Sequence, residues 1–359
     1  MNDIRFRHII SLGVLYALGT TLIYIGSKGY HAWQGIICSF IISIPLYFLY
    51  IKLLKDYPGK NFFEIIDIAF GKVVSKILII IYILFLWYKS GRIIYGYTDL
   101  VITTNNNAFK YKELMLLLNL ILLGYILKTG LTNIARFAQC AFVIVSFLTI
   151  FLFIVGISNM EPLNILPILP VYTNDFLYNI FVYIIQPFAE LTILFNVICN
   201  VKNFKIQKRS FLIMPLISLL FLVLIIIQTI SILGEDYTLI LNYPYYACVS
   251  TININKLVAR IETISIVIFF ICSSVKLIIL IYSMQLGIAT LVSKSSLEKS
   301  NYYGLLFMST VLSFLLYNNV GELKNMTNYY CFFGIIIFLI YPIIILIFGK
   351  KMKHRALEK

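Results

Sequence analysis

Charged residues are scarce in this sequence of 359 residues, where Asp, Glu, Lys and Arg together make up only 12%. A soluble globular protein carries about a quarter charged residues. This scarcity, together with 61% hydrophobic residues, excludes a water-soluble enzyme, a disordered chain and a protein that binds nucleic acid. Each membrane-spanning helix needs about 20 apolar residues. The composition therefore predicts an integral membrane protein whose spans, embedded in the lipid bilayer, occupy most of the chain.

Histidine is also rare, and the cysteines show no metal-binding pattern. The three histidines, His8, His31 and His354, lie at the ends of apolar runs or outside them. A membrane enzyme such as a polytopic acyltransferase needs an acid/base group, usually histidine, at its site. The six cysteines are scattered without CxxC spacing, so neither a zinc site nor a disulfide framework is supported. We therefore expect no enzyme, no metal and no cofactor.

Hydropathy and helix-breaking residues divide the chain into ten predicted spans. No segment outside these spans is long enough for a further domain, so residues 1–359 form one transmembrane domain. The predicted spans cover residues 9–29, 33–54, 76–104, 113–129, 131–157, 175–200, 210–233, 254–292, 302–320 and 328–349.

The distribution of Lys and Arg predicts the orientation. With the N-terminus inside, twenty of them lie on the inner side, five on the outer side and four within spans. Cytoplasmic loops of membrane proteins carry an excess of positive residues. Both termini are therefore predicted to be cytoplasmic.

Ten spans divide into two sets of five, residues 9–157 and 175–349. Because five is odd, the second set enters the membrane from the opposite side, which is the topology of an inverted repeat. The third span of each half is the longest and carries charge. The predicted fold is thus an all-α polytopic membrane protein with ten transmembrane helices in a 5+5 inverted repeat.

The first span of each half also contains a predicted helix break. Gly19-Thr20-Thr21 interrupts the first span, and Gln186-Pro187 interrupts the sixth. Paired interruptions indicate the substrate site of secondary transporters. Two alternatives stay open: Gly19 could instead permit close helix packing, and Pro187 could produce only a kink.

A broken helix exposes backbone N–H and C=O groups that a ligand can satisfy, and two facing breaks fit a small zwitterion such as an amino acid. Glu190 follows the second break, and an ionisable residue at that depth is a functional hypothesis by default. Its alternatives are a structural ion pair with Lys276 or a neutral buried acid. The predicted ligand-binding residues are Leu18, Gly19, Thr20, Thr21, Tyr97, Tyr183, Gln186, Pro187 and Glu190.

The long third and eighth spans carry further ionisable residues among apolar ones. Arg92 and Asp99 are seven positions apart and so share a helix face, which suits a charge ladder along a cavity. The pair Arg260 and Glu262 lies near the outer end of the eighth span, where a structural or gating role is expected before ligand contact. The predicted coupling or gating residues are Lys89, Arg92, Asp99, Arg260, Glu262 and Lys276.

Several short motifs carry a resemblance to a known family. The densest run begins at Ala32-Trp33 and continues through Tyr57-Pro58-Gly59-Lys60, Phe62-Phe63-Glu64-Ile65-Ile66, Gly71-Lys72 and the apolar residues 77–86. Further motifs are Leu18-Gly19, Asn164-Ile165-Leu166-Pro167, Glu190, Tyr243-Pro244 and Arg260-Ile261-Glu262. In these motifs, which extend over nearly the whole chain, the sequence resembles the spore germination permease family, the B subunits of bacterial spore germinant receptors, within the amino acid, polyamine and organocation transporter superfamily.

The resemblance implies a sensor of small germinants, often amino acids, in the inner membrane of the dormant spore. It also implies partners, namely an A-type subunit and a lipoprotein C-type subunit. Two functions follow as hypotheses: a receptor subunit that binds a germinant between the broken helices, and a secondary transporter of an amino acid or polyamine coupled to protons through Glu190. The fold and the site are shared by both, so the sequence does not separate them.

Overall fold

The computed structural model describes residues 4–24, 30–104, 112–252, 260–292 and 301–347. Within these ranges the chain is mostly helical, and no strand occurs among them. The α-helices are, in chain order, α1 (Phe6–Tyr24), α2 (Ala32–Asp56), α3 (Phe62–Thr104), α4 (Lys112–Lys128), α5 (Leu131–Gly156), α6 (Thr173–Tyr183), α7 (Phe195–Ile198), α8 (Phe204–Leu233), α9 (Glu235–Ile240), α10 (Pro244–Ser250), α11 (Glu262–Val292), α12 (Tyr302–Leu316), α13 (Val320–Asn325) and α14 (Thr327–Ile335).

Seven helical segments in the described ranges are long and apolar enough to cross a membrane, and three shorter apolar helices accompany them. Each of the ten predicted spans overlaps one of these ten segments. The ends of the first, eighth and tenth predicted spans, residues 25–29, 254–259 and 348–349, lie outside the described residues. Length and hydropathy thus account for the helices one by one, because both are local properties of the sequence.

Helix α1 lies in the interior of the bundle. It packs against α5, α8 and α11, and α11 in turn packs along α3. On the periphery, large apolar side chains such as Leu118, Phe147 and Leu220 are more than half exposed. Such exposure suits contact with lipid, because acyl chains are as apolar as these side chains.

The third predicted span, residues 76–104, agrees with the structure to within a few residues, because the segment Val73–Thr104 is long and apolar enough to cross a membrane. Helix α3 itself begins earlier, at Phe62, and Gly71 interrupts it with non-helical dihedrals (φ 72°, ψ 171°). A positive φ of this kind suits glycine, which lacks the Cβ that would clash. The segment before Gly71 is therefore a separate amphipathic helix joined to the span without a loop.

The predicted helix break in the first span is wrong. Helix α1 is continuous from Phe6 to Tyr24 and passes through Gly19-Thr20-Thr21. The hydroxyl of Thr21 donates to the backbone carbonyl of Ala17, one turn earlier in the same helix, at 2.8 Å. A Cβ at Gly19 would lie 2.9 Å from Cδ of Lys276. Gly19 therefore permits close packing on α11, which is the alternative that the sequence left open.

The predicted break in the sixth span is confirmed. Helix α6 ends at Tyr183, a π-helical turn follows over Ile184–Phe188, and a 3₁₀ turn over Ala189–Leu194 leads into α7. Gln186 has non-helical dihedrals (φ −122°, ψ 107°). The backbone of this span therefore changes its helical form three times within the bundle.

Candidate functional site

Glu190 lies at the centre of a buried cluster of charges. Its side chain is completely buried and is presented by the 3₁₀ turn that follows the break at Gln186. Nζ of Lys276 lies 2.7 Å from Oε2 of Glu190, and Nζ of Lys89 forms an ion pair with Oε1. An isolated carboxylate would be very costly at this depth, and two ammonium groups offset that cost.

Three helical elements bring these groups together. Lys89 comes from α3, Lys276 comes from α11, and Glu190 comes from the irregular sixth span. Both lysines are at most 2% exposed. Lys89 of the third span and Lys276 of the eighth thus meet at a single carboxylate, and the ion pair with Lys276 is one of the alternatives that the sequence left open for Glu190.

Two tyrosines enclose the cluster. The hydroxyl of Tyr330 donates to Oε1 of Glu190 and accepts from Nζ of Lys89 at 2.9 Å. The ring of Tyr16 lies 4.8 Å from Nζ of Lys276 and 5.4 Å from Nζ of Lys89. Aromatic faces attract cations, so these rings stabilise the ammonium groups. The hydroxyl of Tyr16 is buried without a hydrogen-bond partner among the described residues.

Arg92 extends the cluster by a further positive charge. Its Nη2 donates to the hydroxyl of Thr327 at 2.7 Å, and its guanidinium lies 5.6 Å from the ring of Tyr330. With all side chains ionised, Lys89, Lys276 and Arg92 face the single carboxylate of Glu190. The cluster then carries two excess positive charges, which favour an anionic group nearby.

The structure places several other predicted ligand residues beside this cluster. Gly19 contacts Lys276, and its carbonyl accepts a hydrogen bond from Ser273 at 3.0 Å. Further buried residues of the two motif regions are Leu18, Thr21, Tyr183, Gln186 and Pro187. The side chain of Thr20 lies outside the described residues.

Other predicted residues lie elsewhere. Tyr97 accepts from Nδ2 of Asn119 at 2.7 Å and meets Phe270 edge-on, which makes it a packing residue. Asp99 accepts from the hydroxyl of Tyr243. Among the ion pairs of the described chain, none includes Asp99, Arg260 or Glu262.

Tyr16, Thr327 and Tyr330 are members of the cluster that sequence reasoning missed. The chain contains 26 tyrosines, and no local feature of the sequence distinguishes Tyr16 and Tyr330 from the rest. Tyr330 is 140 positions from Glu190 in the sequence. The contact becomes visible only when the helices are packed.

A second polar centre joins three connecting segments around His31. The His31 backbone is left-handed (φ 63°), and its N–H donates to Oε1 of Glu235 at 3.0 Å. Its Nε2 accepts from the backbone N–H groups of Val171 and Tyr172 at 3.1 and 3.2 Å. Through its imidazole and its backbone N–H, His31 therefore links the segment before α2 to the segment before α6 and to α9.

Comparison with solved structures defines the class of protein. The chain resembles the substrate-bound, outward-open state of a Na⁺-coupled sialic acid symporter, with a TM-score of 0.63 and 11% sequence identity, over 94% of this chain and 79% of that one. At this identity the likeness shows the fold alone. With its long apolar helices, the protein is an integral membrane protein of transporter-like fold.

Sequence comparison identifies the family. The spore permease model, described as "Spore germination protein", matches residues 4–316. Spore germination protein KB of Bacillus subtilis (strain 168) is 23% identical over 367 residues, covering 98% of this chain and 97% of the relative. YfkT of the same organism is 23% identical over 361 residues, with 95% and 97% covered. The chain belongs to the spore germination permease family, as its motifs predict, and this is not a known enzyme family.

Proposed function

We propose that this protein is the germinant-sensing membrane subunit of a spore germination receptor. It binds a small zwitterion, an amino acid, at the cluster around Glu190. The observation that carries the proposal is the completely buried Glu190, held between Lys89 and Lys276 directly after the helix break at Gln186. The matches to germination proteins over nearly the whole chain support the physiological role.

The chemistry of the cluster favours a zwitterion over a simple amine. An incoming carboxylate can replace Glu190 as the partner of Lys276, while an incoming ammonium group pairs with the released Glu190. This exchange leaves the net charge of the cluster unchanged and gives each charged group of the ligand a partner of opposite charge, which a low-dielectric interior favours. A ligand with an ammonium group alone would instead add a fourth positive charge.

The break at Gln186 gives the exchange a structural consequence. Glu190 lies only a few residues after the non-helical backbone of Gln186. A change of ion-pair partner at Glu190 therefore alters the balance between two backbone arrangements of the sixth span, which shifts a conformational equilibrium. In the proposed receptor, A-type and lipoprotein C-type subunits sense this shift in the inner membrane of the spore.

The number, the symmetry and the orientation of the transmembrane helices are part of the same proposal. Ten transmembrane helices form a 5+5 inverted repeat with both termini in the cytoplasm. The convergence of Lys89 and Lys276 supports the repeat, because the two lysines come from the third span of each half. Labelling of single cysteines from either side of the membrane would test the topology. Modification of a terminal cysteine from outside would contradict it.

The binding proposal is tested with the purified full chain in detergent. Thermal unfolding is measured with each of a panel of amino acids, and with the methyl ester and the decarboxylated amine of any that stabilise. We expect stabilisation by the free amino acid alone, since ligand binding raises the apparent stability. Lys276→Met should abolish the shift, whereas Glu113→Gln, an exposed control at the start of α4, should retain it. Equal stabilisation by the ester or the amine would contradict the ion-pair exchange.

A proton-coupled amino acid or polyamine transporter is the second candidate, supported by the fold of the sialic acid symporter. Counterflow and pH-driven uptake in proteoliposomes separate the two functions. The receptor proposal expects no accumulation of labelled amino acid above the level of empty vesicles. Accumulation driven by a pH gradient and abolished by Glu190→Gln would establish transport instead.

A further inference from the structure

A cavity lies apart from the Glu190 cluster, where the C-terminal part of α3 faces α4 and α12. Its volume is about 310 Å³. This size is at the lower end of small-molecule sites. Its lining includes Tyr95, Thr98, Asp99, Ser313, Phe314 and Tyr317.

The cavity has a negative charge. Asp99 is the one charged side chain among the described residues that line it. Its carboxylate accepts from the neutral hydroxyls of Tyr243 and Tyr95, and no described Lys, Arg or His forms an ion pair with it. Arg92, seven positions earlier on α3, donates to the hydroxyl of Thr327 and also hydrogen-bonds the hydroxyl of Tyr317, so a positive charge borders one wall of the cavity. A cation in the cavity would still meet an available carboxylate.

Aromatic rings form much of the remaining wall. The rings of Tyr95 and Tyr317 lie 5.3 Å apart at an interplanar angle of 58°, and Phe314 adds a third ring. Faces of aromatic rings attract cations through their quadrupole, and quaternary and methylated ammonium groups are recognised in such surroundings. The lining thus combines a carboxylate with aromatic rings.

An inorganic cation fits this lining less well. Hard metal ions are held by six or more oxygen ligands at short distance, whereas this cavity offers one carboxylate among rings and isolated hydroxyls. Two of those hydroxyls, on Thr98 and Ser313, already donate to backbone carbonyls at 2.7 Å. A weakly hydrated organic cation suits the wall and the volume better.

We propose that this cavity binds an organic ammonium cation, with the cationic head beside Asp99 and its alkyl groups against Tyr95 and Tyr317. The site is distinct from the Glu190 cluster and is independent of the proposed function there. The protein would thus have two ligand sites of different chemistry, one for a zwitterion and one for a cation.

The test uses choline chloride as the probe and the full chain in a maltoside detergent, with binding measured by calorimetry. Choline should bind at least tenfold more tightly than its neutral isostere 3,3-dimethyl-1-butanol, and potassium chloride at the same ionic strength should have no effect. We expect Asp99→Asn to weaken choline binding at least tenfold. Tyr95→Leu should weaken it roughly tenfold, which corresponds to about 1.4 kcal/mol. Glu113→Gln is the control and should stay within twofold.

Equal binding of choline and its neutral isostere, or unchanged binding in Asp99→Asn, would overturn the proposal. An equal response to potassium chloride would do so as well. Should Asp99→Asn fail to fold, the isostere comparison and Tyr95→Leu decide the matter.

A lipid headgroup and a free amine share this chemistry. Binding of phosphatidylcholine in mixed micelles without binding of free choline would assign the site to a lipid.

Discussion

The first and sixth spans both contact the cluster around Glu190, yet their backbones differ. Helix α1 is regular from Phe6 to Tyr24 and contributes a flat surface at Gly19 and the ring of Tyr16. The sixth span passes through π-helical and 3₁₀ turns and contributes the carboxylate. The helix that supplies packing surface stays regular, whereas the segment that supplies the central charge is irregular. We therefore expect conformational change to arise in the sixth span, with α1 as a rigid neighbour.

The largest expected effect is on Glu190. Glu190→Gln leaves Lys89 and Lys276 without their carboxylate, and breaking a buried ion pair in this way costs about 3–5 kcal/mol. Chemical unfolding in detergent measures the loss of unfolding free energy. The triple variant Glu190→Gln, Lys89→Met, Lys276→Met should recover much of it, because no unpaired lysine remains. A loss no larger than that of Glu113→Gln would show that the cluster is not a paired unit.

A side chain at Gly19 tests the packing role of α1. Its Cβ would lie 2.9 Å from Cδ of Lys276 and 3.0 Å from the carbonyl oxygen of Cys272. Gly19→Leu should therefore destabilise the protein by about 1–3 kcal/mol through overpacking. Gly304→Leu is the matched control, since open space surrounds that glycine. Similar unfolding free energies for the two variants would mean that α1 is not closely packed on α11.

The variant Pro187→Ala tests whether proline causes the irregular backbone of the sixth span. Pro45 in α2 and Pro215 in α8 lie inside α-helices without such a break, so proline alone is an insufficient cause. We expect Pro187→Ala to change the unfolding free energy by less than about 1 kcal/mol, within the range of a tolerated substitution, and to leave residues 184–190 irregular. Hydrogen exchange should remain fast in that segment and unchanged in Pro215→Ala. Strong new protection of residues 184–190 would identify Pro187 as the cause of the break.

The smallest expected effect concerns the connection around His31, which links the segment after α1 to the segment before α6. Burial raises the pKa of Glu235 above its ordinary value of 4.5. Ionisation is then less favourable in the folded protein than in the unfolded chain. The contribution of Glu235 to stability is therefore fully present below pH 4.5 and is lost as the pH rises through the raised pKa.

Glu235→Gln should remove this contribution to the pH dependence of stability. Thermal unfolding from pH 4 to pH 7 measures it, with Glu113→Gln as the exposed control. A difference of about 0.5 kcal/mol or less is expected, as for substitutions near the surface. A profile steeper than that of the unmodified protein would contradict the assigned direction.

The sequence predicted most of the helices and part of the site. Hydropathy located ten apolar segments because the bilayer demands long apolar runs wherever a helix crosses it. Glu190 stood out for the complementary reason, since a carboxylate within such a run is costly. Gly19 shows where this reasoning failed: glycine permits both a break and close packing, and its neighbour Lys276 on α11 decided between them.

The sequence by itself determined the membrane class, the family and the presence of a few charges within apolar segments, because these follow from composition and from motifs along the chain. Only the tertiary structure decided that Lys89, Lys276 and Tyr330 meet at Glu190, and that Asp99 lies in a separate cavity. The physical reason is distance along the chain. Which faces of remote helices meet depends on how all the helices pack together, and no local pattern records that arrangement.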